Sequence, residues 1–118
     1  MRLPKVGEEL PEDVLWYQLK AIHQETGLIM PERNVKVFPD SGYEWDFLWR
    51  APIKLLVEIQ GGVWMEKGGH NTGKGIERDV KKNNLAVMRG YDCLYYTTKM
   101  VKDGIAFNEI EKYLRERS

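Results

Sequence analysis

The chain has 118 residues, its 18 basic and 18 acidic side chains cancel to a net charge of zero, and 42% of it is hydrophobic. That length fits one domain, residues 1–118, around a single core, and the balance of apolar and charged residues excludes a disordered tail. No apolar run reaches membrane-spanning length, the lone Cys93 excludes an internal disulfide, and the zero total argues against binding nucleic acid through bulk charge. The opening Met1-Arg2-Leu3-Pro4-Lys5 lacks the apolar core of a signal peptide, so a cytoplasmic protein is expected.

Pro11-Glu12-Asp13 reads as a helix start, with proline in the first turn and acids at the positive end of the dipole. Val14, Leu15, Leu19 and Ile22 recur at helical spacing and Gly27 supplies a stop, which predicts a helix over 11–26. Alternation predicts a strand over Asn34–Phe38, closed by the turn Pro39-Asp-Ser-Gly42. Two further strands, Tyr43–Trp49 and Ile53–Gln60, join through a tight turn at Arg50-Ala51-Pro52. Residues 61–75 are glycine-rich and predict a long exposed loop. A helix over Ile76–Arg89 ending at Gly90, a strand over Cys93–Thr97 and an amphipathic helix from Ile105 to about Arg115 complete the order. The helix between the third and fourth strands makes a crossover, so these strands are expected to be parallel and the first three a meander. The fold class is α/β, a mixed sheet flanked by helices.

If the second and third strands form a hairpin centred near residue 52, opposed residues have numbers summing to about 104. Asp46 and Glu58 satisfy that sum, which puts their Cβ atoms about 4.5–5.5 Å apart. Gln60 shares the face of Glu58. The other parity, Trp45, Phe47 and Trp49 against Leu55, Val57 and Ile59, reads as core. Two opposed acids either point to water or hold something positive between them. Leu48 and Leu56 lie on the same face and weaken the first reading. A divalent cation satisfied by Asp46, Glu58 and a main-chain carbonyl such as that of Ile59 fits the second.

Asp46 followed by Glu58-Ile59-Gln60 on adjacent strands resembles the catalytic motif of the PD-(D/E)XK nuclease superfamily, whose αβββαβ, restriction-endonuclease-like core has the predicted element order. The run IQGGVWMEKGGHNTGKGIERDVKKNNLAVMRGYDCLYYT is similar to small phage and bacterial members related to very-short-patch repair endonucleases. The resemblance covers roughly residues 10–105. It implies that Asp46 and Glu58 bind Mg²⁺, with Mn²⁺ as a substitute. It also implies that Glu12 resembles the additional acid used by some members, including archaeal-type Holliday junction resolvases; an ordinary helix-start acid explains Glu12 equally well. Gln60 stands where the superfamily usually has Lys, and it can hold a water but brings no charge. Lys74, Arg78 and Lys81 are the candidates for the missing cation. Met65 replaces the His of very-short-patch repair enzymes, and their zinc-binding cysteines are absent.

Lys67, His70, Lys74, Arg78 and Lys81 gather in and after the glycine-rich run and are the candidate DNA-phosphate contacts; a mobile loop before a solvated helix face is the plainer alternative. The expected function is a Mg²⁺-dependent endonuclease acting on branched or otherwise structured DNA, foremost a Holliday junction resolvase. Symmetrical cutting needs two sites and hence a homodimer. The alternatives are a mismatch- or flap-nicking repair enzyme and an inactive nuclease-fold DNA-binding module.

Overall fold

A computed structural model describes residues 9–60 and 73–117, with the side chains of residues 73 and 74 outside the description. Helix α1 runs Pro11–Thr26 as expected. It ends because Gly27 adopts φ +79, a left-handed conformation that a side chain resists, and the Gly27 N–H closes on the His23 carbonyl at 2.7 Å. His23 completes this stop through Nδ1, which lies 2.8 Å from the Leu28 carbonyl, so its role here is structural.

The strands are β1 (Glu32–Val35), β2 (Trp45–Trp49), β3 (Leu55–Gln60) and β4 (Asp92–Thr97). They form one sheet in the order β1-β2-β3-β4, antiparallel for the first two pairings and parallel between β3 and β4. The meander and the crossover are therefore both present. β1 lies earlier than the alternation of residues 34–38 predicts. Pairing decides this, because Glu32, Arg33 and Val35 meet Leu48, Phe47 and Trp45 across the ladder. Phe38 has left the ladder and is buried edge-on against the rings of Trp45 and Tyr91, so its apolar character reflects packing rather than strand.

Helix α2 (Gly73–Met88) crosses from β3 to β4 and begins three residues before the expected Ile76. A short helix α3 (Thr98–Lys102), which periodicity over five residues cannot reveal, starts where the Thr97 hydroxyl accepts the Met100 N–H at 3.2 Å. Helix α4 runs Ile105–Arg117.

Both sheet faces are covered. On one, Leu15 and Leu19 of α1, Val101 of α3 and Ile110 and Leu114 of α4 bury Phe47, Trp49, Leu55, Val57 and Ile59. On the other, Ala86 of α2 and Phe38 bury Leu48, Leu56 and Trp45. Trp45 thus corrects the expected face assignment. It lies beyond the last paired step of the β2–β3 ladder, Phe47 with Val57, and its ring joins the α2 side against Phe38 and Tyr43. No helix among the described residues is long and apolar enough to cross a membrane.

Candidate active site

The β2–β3 register pairs Phe47 with Val57, Leu48 with Leu56 and Trp49 with Leu55, each summing to 104. One further step sets Asp46 opposite Glu58, on the face that α2 covers. The ladder stops there because the Asp46 side chain enters it: Oδ2 accepts the Ile59 N–H at 2.7 Å. One residue's N–H and C=O point to the same side of a strand, so the Ile59 carbonyl is also directed toward Asp46.

Glu58 is only 17% exposed at its side chain. Burial, opposed by the Lys82 ammonium and reinforced by the Asp46 charge, pushes its carboxyl up to about 7. At neutral pH Glu58 is therefore protonated in about half of the molecules, where a free glutamate is almost fully ionised.

The cation at this site is Lys82. It is 1% exposed, donates to Glu58 Oε2 and to the Glu44 carbonyl at 2.6 Å, and lies 4.9 Å from the centre of the Trp45 ring. A buried ammonium needs such partners, since its desolvation alone costs several kcal/mol. Of the three residues expected to supply the charge, the two whose side chains are described do not. Arg78 is exposed with its guanidinium over Tyr43 at 5.6 Å, Lys81 is exposed and paired with Glu77 at 2.9 Å, and the side chain of Lys74 lies outside the described residues. A signal for Lys82 was present in the spacing: Asp79, Lys82 and Ala86 stand at i, i+3 and i+7, one helix face, and Ala86 is fully buried on the sheet. A lysine within that face must find an acid beneath it.

Gln60 reaches the same helix. Its Nε2 donates to Asp79 Oδ2 at 2.9 Å, which leaves the amide oxygen as the free acceptor. The Tyr95 hydroxyl donates to the Asp79 main-chain carbonyl at 3.4 Å, and burial raises the Tyr95 phenol well above its usual range. Asp79 was missed as a site residue because an acid on a charged helix reads as solvated.

Glu12 is not brought to this group. It sits half-buried on α1, which packs on the opposite sheet face, while its neighbour Asp13 takes Arg33 at 2.8 Å. Lys67 and His70 lie outside the described residues. The described residues include no cluster of three His, Cys, Asp or Glu side chains, and the groups that could hold a cation at this site are two carboxylates and a main-chain carbonyl. That suits Mg²⁺, which takes one or two protein carboxylates and fills its other positions with water or substrate phosphate. Comparison of the chain with models of known families, with curated proteins and with solved structures found no match.

Proposed function

We propose that the protein is a Mg²⁺-dependent DNA endonuclease with a restriction-endonuclease-like αβββαβ core, acting on branched DNA as a Holliday junction resolvase. The observation that carries this reading is the buried Lys82 ammonium set against the opposed acids Asp46 and Glu58. The motif departs from its superfamily at Gln60, and Lys82 provides the cation that position 60 lacks. This weighs against the inactive-module alternative.

The residues divide the work by their contacts. Asp46 is held by the Ile59 N–H through one oxygen and offers the other. Glu58 presents one oxygen to Lys82 and keeps the second. A bound divalent ion supplies polarisation of a phosphoryl oxygen and a lowered pKa for bound water. Lys82, 1% exposed and spending its donors on Glu58 and the Glu44 carbonyl, acts through Glu58 by offsetting the negative charge of the acid pair rather than by touching substrate. Gln60, oriented by Asp79, accepts a hydrogen bond from a water through its amide oxygen and so positions it. Arg78 and Lys81, exposed on α2, are placed for phosphate contact at the rim, and DNA shape rather than base edges sets selectivity.

The test is incubation with a labelled four-way junction, a flap and a plain duplex, each in Mg²⁺ and in EDTA. Symmetrical Mg²⁺-dependent cuts on the junction are expected. Preference for the flap supports the repair-nicking alternative, and binding without any Mg²⁺-dependent cut overturns the enzyme reading. Asp46→Asn is expected to abolish cleavage and leave DNA binding in place.

A further inference from the structure

Helix α2 does not cover the whole of the sheet face on which it packs. Its buried contacts fall on β2 and β3: Ala86 joins Leu48 and Leu56, and Lys82 reaches Glu44, Trp45 and Glu58. The same face of β4 is left partly open beside the helix. There Asp79, Val80 and Asn83 of α2 line a groove of about 250 Å³ with Tyr95 of β4. The β3–β4 register pairs Tyr95 with Glu58, so the groove lies one strand spacing, roughly 4.8 Å, to the side of the acid pair.

The lining side chains bring different chemistry. The Tyr95 hydroxyl is committed to the Asp79 main-chain carbonyl at 3.4 Å, which anchors the ring and leaves aromatic carbon as its contribution to the groove. Val80 adds an aliphatic wall and is 51% exposed. Asp79 gives one carboxylate oxygen to Gln60 and keeps the other. Asn83 is half-buried, and its amide has no hydrogen-bond partner among the described residues, so its N–H groups and its carbonyl are both free.

Together these groups define an occupant. A wall that is mostly carbon and includes a ring suits a planar apolar group. The spare acceptor of Asp79 and the free donor and acceptor of Asn83 suit a polar edge on that plane. The one charge on the lining is negative, so the groove repels phosphate. Its volume falls below the roughly 300–1,000 Å³ of pockets for drug-sized molecules and fits one ring system rather than a run of chain. Neutral, planar and edged with donors and acceptors is the chemistry of a nucleobase.

We propose that this groove receives one unpaired nucleobase of the DNA, beside the phosphate held at Asp46 and Glu58. The proposal rests on the nuclease reading of the site. A base inside a duplex is stacked on both faces and paired at its edge, and the cost of extruding it is least where it is already unpaired. The groove therefore favours branch points, flaps and bulges over plain duplex. Every base has a π-face, and Asn83 offers donor and acceptor together, so the selection is for an unpaired base and not for its identity.

The test is equilibrium binding of the full chain in EDTA to labelled duplexes with a single-nucleotide bulge, which carries either a base or an abasic site. The two share backbone and charge and differ only in the base. The base-containing bulge is expected to bind about 10-fold tighter, with adenine and thymine alike. Tyr95→Leu is expected to bring that ratio to about one, and Asn83→Leu, with an unchanged far-UV spectrum, to about 3. Asn84→Leu, on the exposed side of α2, is expected to keep the full ratio. A wild-type ratio near one, or a ratio that Asn83→Leu leaves at its wild-type value, overturns the proposal. No cleavage enters the measurement, so the two readings fail separately. A ratio near one beside Mg²⁺-dependent junction cutting removes the groove alone, and a full ratio with no cutting removes the enzyme reading alone. Failure to bind either DNA overturns both.

Discussion

Replacing Lys82 with Met keeps the length and volume of the side chain and removes only its charge and donors. Three losses follow. The Glu44 carbonyl loses its partner, at about 1 kcal/mol. The Trp45 ring loses its cation, at about 1 kcal/mol. Glu58 loses the one group that holds its carboxyl down. Offsetting these, an ammonium no longer has to be desolvated. Breaking a buried ion pair from one side commonly costs about 3–5 kcal/mol, but Glu58 has an escape, since its carboxyl already titrates near 7 and can take a proton. The sign is set by that shift. The folded-state value is raised above the unfolded 4.5, so the folded protein binds more protons between about 4.5 and 7 and stability falls as pH rises through that window. Without Lys82 the folded value rises further and the fall continues above pH 7, by up to about 1.4 kcal/mol per unit. Urea unfolding in EDTA should show Lys82→Met destabilised by about 2 kcal/mol at pH 8 and by less than about 1 kcal/mol at pH 5.5. Adding Glu58→Gln should abolish the pH dependence of the difference. An equal loss at both pH values, or no loss at pH 8, refutes the account of Lys82 as the cation that holds Glu58 ionised.

Three other outcomes follow from contacts described above. Asp79→Ala releases the Gln60 amide and is expected to lower single-turnover cleavage about 10-fold while thermal stability changes little; an unchanged rate removes Gln60 from the positioning of water. Gly27→Ala forces a side chain into φ +79 with open space around it, so backbone cost alone should destabilise by about 1 kcal/mol in urea, with no change in DNA binding. Burial pushes the Cys93 thiol up from 9.0 to about 11, so at pH 8 its alkylation should be about 100-fold slower in the native protein than in urea, and should accelerate as pH rises.

The helices and the sheet order were legible where local chemistry and tertiary packing agree. Pro11 and Gly27 bound α1 by their own backbone preferences, and the crossover between β3 and β4 forces the parallel pairing. The opposition of Asp46 and Glu58 was legible because a hairpin turn propagates its register along both strands. β1 and Trp45 were misplaced because pairing and contacts beyond the last ladder step outrank alternation. Lys82 was passed over in favour of more exposed neighbours for a related reason. Its position on a buried face is periodic information, but the acid that makes burial tolerable lies 24 residues away on a strand, and no helix-local rule connects them.

The bond from the Ile59 N–H to Asp46 has a consequence for anyone who disables this protein by mutation. Here a side chain does the job of a main-chain carbonyl, so Asp46 is at once a functional acid and a stitch in the β2–β3 seam. An asparagine can keep its carbonyl on Ile59 and present an amide where the second oxygen stood, which removes the chemistry and leaves the seam closed. An alanine removes both, orphaning an N–H of a nearly buried residue at the point where the two strands part. The two substitutions are therefore different experiments. Only the amide variant serves as a control for cleavage, and the difference in stability between them reads out how firmly the open end of the hairpin is stitched.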